Sequence, residues 1–331
     1  MEKSLVAIIW ATVIVVTILV ILVKCILKRS KNINVVVAQN LESPTLNGLY
    51  KFTIVEIENA INNIDKTNYM RISRKLIGNG SRGELCQGIL PSGQVVAIKE
   101  MHKTEDAVGS FITEVECLSR ARHPSIVCLL GFCNEDGKHF LVYENYSAGN
   151  LAQYFLTTNS IPIFVGQLSS ILLSETLEPK LCGFGQAKML GMHESQVFEE
   201  FVENGVYTDP EYKNSGLLTC STDVYGFGII MLQVLSGPRI AHFGEDDKNI
   251  LLTKAKDVSR GKLPISEFED PWLKGKLIND EALKSILQIA LLCVAETSKE
   301  RPTIEQVSEE LNKAWSLTNN VGHPININPP L

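Results

Sequence analysis

One lysine constrains this chain more than any other residue. Lys99 closes the run QVVAIK, where Val95, Ala97 and Lys99 fall on one face of a strand among apolar neighbours, so its ammonium lies on a face expected to be buried. A buried ammonium needs an anionic partner. After a candidate cap at Thr104, Val108, Phe111, Ile112, Val115 and Leu118 recur at helical spacing. Glu114 falls three residues after Phe111 and four before Leu118, beside that stripe. The plain reading of Glu114 is a solvated helix charge; the sharper one is a Lys99–Glu114 ion pair that holds the ammonium ready for phosphate oxygens.

Just upstream, RKLIGNGSRGELCQGIL sets Gly78, Gly80 and Gly83 as G-x-G-x-x-G between two β-like runs. A hairpin tip without side chains lets backbone N–H groups approach phosphates. Alone the pattern is weak, because glycine-rich loops are common. Followed by a strand with a buried lysine, it reads as half of a nucleotide pocket.

The N-terminus has a different character. Leu5 to Val23 carries no charge and is long enough to cross a bilayer of roughly 30 Å as a helix. A cleaved signal peptide is the competing reading, but its apolar run is shorter and no small-residue cleavage site follows. Lys24, Lys28, Arg29 and Lys31 lie just beyond the run, which puts the bulk of the chain in the cytosol, under a plasma membrane. The expected order is a short outer segment at 1–4, a span at 5–23, and a juxtamembrane linker at 24–70 containing one amphipathic helix marked by Ile54, Ile57, Ala60, Ile61 and Ile64. The net charge of −6 and the lack of a basic run after residue 31 exclude a nucleic-acid partner. Eight cysteines without paired spacing read as reduced, mostly buried thiols.

Several motifs follow in order: VAIK (96–99), HPSIVCLLGFC (123–133), FLVYENYSAGNL (140–151), VYTDPEY (206–212), STDVYGFGIIMLQVLSG (221–237) and KERPTIEQV (299–307). With the glycine hairpin, this series resembles a plant receptor-like protein kinase over about residues 52–316. The resemblance implies an α+β, bilobal protein-kinase-like fold. It would comprise a small lobe at 71–145 with a five-stranded antiparallel sheet, a mostly helical and shortened large lobe at 146–316, and a flexible tail at 317–331. It also implies a nucleotide pocket lined by Gly78, Gly80, Gly83, Leu85, Ala97, Lys99, Glu114, Tyr143 and Glu144. Glu211 and Arg301 would form the buried ion pair of the large lobe, with Asp223 a further fold-holding residue. The last third agrees independently: Leu283, Ile286, Leu287 and Ala290 recur at helical spacing, and Thr303 with Gln306 reads as a capping box.

Phosphoryl transfer in such a fold needs Mg²⁺ held by an Asp and an Asn, plus a catalytic Asp. The resemblance sets Gly183, of the triplet GFG, at the metal-binding Asp; Ser170 at the Asn; and Val165 at the catalytic Asp. Register does not matter, since no Asp occurs from Gly137 through Thr208. Phe184 is retained and is expected to pack beneath the main small-lobe helix. Only 25 positions separate Glu144 from Ser170, about half of what the family uses, so its long helix is expected to be missing. A skipped exon would account for that shortfall but not for GFG. Either LAQYFLTTNSIPIFVG (151–166) fills the groove, or apolar surface on the helix at Asp223–Leu235 is left uncovered. Glu199, Glu200 and Glu203 read as a solvated acidic loop rather than a mimic of phosphorylation, since the Arg that would receive the charge is missing.

The resulting expectation is a membrane-anchored pseudokinase with no catalytic residues and no required cofactor. It would bind ATP weakly and without metal, and act through an active receptor kinase or immune receptor. The alternative is an ATP-binding Ser/Thr kinase with atypical activity.

Overall fold

The computed structural model describes residues 48–62, 76–80, 82–146, 149–151, 170–176, 178–188, 195–197, 206–237, 244–270 and 279–319. The first lobe is built on six strands: β1 (Tyr50–Lys51), β2 (Leu76–Gly80), β3 (Gly83–Ile89), β4 (Val95–Met101), β5 (Leu129–Glu135) and β6 (Lys138–Glu144), in the spatial order β1-β5-β6-β4-β3-β2. Strands β2 to β6 pair antiparallel, whereas β1 joins the edge parallel to β5, with Tyr50 opposite Gly131. The sheet therefore has one strand more than the sequence reading allowed.

The extra strand comes from the expected linker. Strand alternation sends Val96 and Ile98 to one face of β4 and Ala97, Lys99 and Met101 to the other. Both faces of the central strands are apolar, so both need cover. Helix α2 (Glu105–Arg120) supplies it on one side through Phe111, Val115 and Leu118. Helix α1 (Ile54–Asn62) supplies it on the other, where Phe52, Ile57, Ala60 and Ile61 pack with Val96, Ile98, Cys133, Phe140 and Val142. The amphipathic helix expected within 24–70 is α1, and with β1 it packs directly on the small-lobe sheet. Gly131 makes this possible, because a Cβ there would collide with the Tyr50 carbonyl oxygen and the Phe52 ring.

Helix α2 begins where its chemistry allows. Thr104 adopts extended backbone and its hydroxyl accepts from Ala107 N–H at 3.2 Å, with Glu105 and Asp106 in the first turn to complement the helix dipole.

The second lobe is helical: α3 (Pro210–Ser215), α4 (Cys220–Ser236), α5 (Glu245–Ser259), α6 (Asp280–Cys293) and α7 (Ile304–Asn319). Helix α4 is its axis, buried at every residue from Val224 to Ser236 except Gln233. Of the two alternatives for this helix, the one with uncovered apolar surface is not what the structure shows. Its residues share one core with Leu151, Ile171, Leu173, Tyr207 and the inner faces of α5, α6 and α7. Thr303 and Gln306 make the reciprocal bonds of a capping box at the start of α7, which runs through Asn319 rather than ending before residue 317.

The fold-class expectation is corrected in one part. No helix among the described residues is long and apolar enough to cross a membrane, so the described fold is bilobal and kinase-like without a transmembrane helix. The most apolar candidate, α4, has 17 residues, roughly 26 Å, and is the buried core of its lobe. The run at 5–23 lies outside the described residues, as do the stretch at 152–169 where a long helix was expected to be missing and the acidic positions 199, 200 and 203.

Candidate functional site

At the inner face of the small lobe, Lys99 Nζ donates to Glu114 Oε2 at 2.9 Å. The carboxylate is 2% exposed and the ammonium side chain 22%, so the anion is buried and the cation keeps partial access to solvent. Across β3, β4 and β6 the register sets Leu85 opposite Lys99 and Tyr143 opposite Ala97, on the face that carries α2. These four residues and Glu114 come together. Tyr143 is buried near Glu114, and burial first, then the Glu114 charge, push its phenol well above the ordinary value. Glu144 stands outside this group: it is exposed, its carboxylate accepts from Tyr146 Oη at 3.4 Å, and its N–H donates to the Cys128 carbonyl.

The glycine hairpin is tighter than a bare phosphate loop requires. Gly80 pairs directly with Gly83 across the turn, and Gly78 pairs with Leu85 beside a bulge. A Cβ on Gly83 would overlap the Glu100 carbonyl oxygen of β4, so this glycine serves strand packing as well as turn geometry. Arg82 sits at the turn, its carbonyl accepting from His102 N–H at 2.9 Å.

The opposite wall is a short hairpin, β7 (Ile171–Leu173) with β8 (Pro179–Leu181). Cys182 N–H donates to the Ser170 carbonyl at 2.8 Å, which closes the hairpin and sets Ser170 beside Gly183. The hairpin is tied to the segment after α2 by Leu181 N–H to Ser125 O and Val127 N–H to Leu181 O. Gly183 holds φ = 81°, in the left-handed region, and a Cβ there would lie 3.3 Å from Ser170 Oγ. Phe184 opens a 3-10 turn and is buried with Phe111, Val115 and Leu118 of the small-lobe cluster.

A hard divalent cation needs several oxygen ligands, usually including carboxylates. Here the two juxtaposed positions offer one hydroxyl and no side chain. Burial pushes the adjacent Cys182 thiol up to about 12, so it stays protonated and is no ligand either. Among the described residues no group of three potential metal ligands occurs, and no Asp or Glu occurs anywhere in the sequence from Asn145 to Ser174. Among the described residues, Ser170 and Gly183 do not fit a metal. Val165 lies outside the described residues.

The buried ion pair of the large lobe differs from its expected form. Arg301 pairs bidentately with Asp209, at 2.5 and 2.6 Å, and also donates to the carbonyls of Ser221, Ala295 and Glu296. Glu211 instead accepts from Ser298 N–H. Asp209 is the N-cap of α3, its carboxylate also accepting from Glu211 N–H, so it points inward while Glu211 lies on the first turn. The sequence reading missed Asp209; the signal was its position before Pro210, where a capping residue is favoured. Asp223 lies in the first turn of α4 and is exposed.

The protein tyrosine and serine/threonine kinase family matches residues 71–170. The probable serine/threonine-protein kinase PBL28 of Arabidopsis thaliana is 30% identical over 299 residues, covering 78% of this chain and 77% of that protein. A probable leucine-rich repeat receptor-like protein kinase of the same plant is 30% identical over 312 residues, covering 84% of this chain. The chain belongs to the protein kinase family, and receptor-like kinases are among the proteins it is similar to. It spans 32% of the leucine-rich repeat relative's length, and 34% of that of the receptor-like protein kinase ANXUR2 of Arabidopsis thaliana, which is 29% identical over 301 residues and matches 81% of this chain. Within this kinase domain, the small-lobe side holds the Lys99–Glu114 pair, and Ser170 and Gly183 beside the hairpin offer one hydroxyl and no side chain.

Proposed function

We propose that this chain is a pseudokinase: a receptor-like kinase domain that does not transfer phosphate and acts through protein contacts on an active receptor kinase or immune receptor. The supporting observation is the side-by-side setting of Ser170 and Gly183, a hydroxyl and a bare Cα at the two positions where the family resemblance expects metal ligands. Without a metal, the charge developed in phosphoryl transfer loses most of its stabilisation. Lys99 and the glycine hairpin are suited to nucleotide phosphates. Weak binding of metal-free ATP is therefore part of the proposal, because binding and turnover draw on partly separate groups.

The second reading, Ser/Thr phosphotransfer of atypical kind, is favoured by the formed Lys99–Glu114 pair. Two measurements on the full chain separate the readings. Thermal melting should show the same small upward shift with ATP in EDTA as with ATP and Mg²⁺, and radiolabelled transfer to protein substrates should be absent. Transfer that disappears in Lys99→Met would overturn the pseudokinase reading. Absence of any melting shift would remove nucleotide binding from it and leave the protein-contact role.

A further inference from the structure

We propose that Tyr50 is a phosphate-acceptor site whose modification releases residues 48–62 from the small lobe. These residues form a strap. Its strand is only two residues long, and the strap's other polar ties to the sheet and α2's end are Arg122 Nη2 to Gly48 O at 3.0 Å, Phe52 N–H to Phe132 O at 2.8 Å, Ile54 N–H to Glu135 Oε2 at 2.9 Å and the exposed Lys138 Nζ to Glu58 Oε1 at 3.4 Å. Beyond them α1 covers one face of the sheet.

The strap's polar centre is Glu56. One of its oxygens accepts from Thr53 N–H at 2.8 Å and Thr53 Oγ1 at 2.9 Å, capping α1; the other accepts from Tyr50 Oη at 2.9 Å. The carboxylate that starts the helix therefore also anchors the strand. Tyr50 is 55% exposed and its ring meets Phe52 edge-on at 4.6 Å, so the phenol is reachable while its neighbours are packed.

In the proposed step, Tyr50 Oη attacks the γ-phosphorus of a nucleoside triphosphate held by a tyrosine-directed protein kinase. The Oη–P bond forms, the bond from that phosphorus to the leaving nucleoside diphosphate breaks, and the phenolic proton passes to the partner's base. The hydroxyl that donated to Glu56 becomes a dianion facing the same carboxylate. An attraction turns into a repulsion at the one group shared by β1 and α1. Release uncovers the apolar face of Val96, Ile98, Phe140 and Val142 and frees Arg122, just beyond the C-terminus of the helix that carries Glu114. None of this depends on whether the chain itself transfers phosphate.

The test uses the full chain with phosphotyrosine encoded at position 50, followed by amide hydrogen exchange. Exchange over residues 48–62 and 129–135 should quicken about tenfold relative to the unmodified chain. Tyr50→Phe, which loses only a hydrogen bond, should have a much smaller effect. Adding Glu56→Gln to the phosphorylated chain should restore most of the protection. Unchanged exchange, or slower exchange from capture of the phosphate by Arg122, overturns the release. Chain recovered from its source cells under phosphatase inhibition should carry phosphate on the Tyr50 peptide; its absence overturns the site.

Discussion

The two walls of the pocket have kept different things. The small-lobe wall holds both geometry and chemistry: a strand lysine, a helix glutamate 2.9 Å away, and a closed glycine hairpin. The hairpin wall holds geometry alone. Cys182 bonds back to Ser170, Gly183 takes a left-handed turn, and Phe184 packs under α2, yet neither Ser170 nor Gly183 offers a carboxylate. The difference separates two demands on one turn. Packing depends on the backbone bonds and on Phe184; metal chemistry depends on side chains that the fold does not need.

Stability should therefore answer to buried pairs far from the hairpin wall. The largest loss is expected for Arg301→Met, which leaves Asp209, 2% exposed, uncompensated in the large lobe. Breaking a buried pair in this way costs about 3–5 kcal/mol. Glu211→Gln removes only a charge-assisted bond to Ser298 N–H and should cost about 1 kcal/mol. Urea unfolding checks both, and equal losses would break the assignment of Asp209 as the partner.

High pH provides the next largest perturbation, and it acts on both lobes. Burial pushes Cys182 beside the pocket, and Tyr207, Tyr225 and Cys293 in the large lobe, up to about 12. Each folded value lies above the unfolded one, so the stability it contributes is complete below the unfolded value and lost as pH rises through the folded value. Melting temperature should hold to about pH 9, the ordinary thiol range, and then fall steadily toward about pH 12. A flat melting profile from pH 9 to 12 would show that these phenols and thiols ionise as easily folded as unfolded.

Much of this arrangement was legible in the sequence, and what was missed has identifiable causes. Lys99 and Glu114 could be read because strand alternation and helical spacing each fix a side chain's direction locally. The caps at Thr104 and Thr303 could be read for the same reason. The strap's packing on the sheet was missed, although its signal was present: VVAIKEM and HFLVYE are apolar on both faces, and α2 can cover only one. Asp209 was missed because choosing between it and Glu211 depends on which way the first turn of α3 faces, a tertiary fact. The groove beside α4 was left open between two alternatives because a shortfall in chain length does not say whether other residues move in.

Within the small-lobe wall, a smaller loss separates the ion pair from its setting. Lys99→Met leaves the buried Glu114 carboxylate without its cation and should cost about 1–3 kcal/mol, read by urea unfolding. The double variant Lys99→Met/Glu114→Leu should recover much of it, because replacing a buried pair by apolar groups is far cheaper than breaking it. If the double variant is no more stable than the single one, Glu114 is held by something other than Lys99.

The smallest effect tests the hairpin wall directly. Gly183→Asp combined with Ser170→Asn restores an acidic and an amide oxygen at two positions that already face each other, with 3.3 Å between a Cβ at 183 and Ser170 Oγ. The backbone at 183 is left-handed, a conformation Asp tolerates better than most residues. If only the chemistry was lost, Mg²⁺ at a few times its dissociation constant should now raise stability by about 1 kcal/mol, an effect the parent chain should not show. On the pseudokinase proposal phosphate transfer should stay absent, because the sequence offers no Asp from Gly137 through Thr208 to act as base. A Mg²⁺ response would show that the turn has kept the shape of a metal site without its ligands. No response would mean that the two walls differ in shape as well as in side chains, and that the missing carboxylate is a consequence rather than the cause.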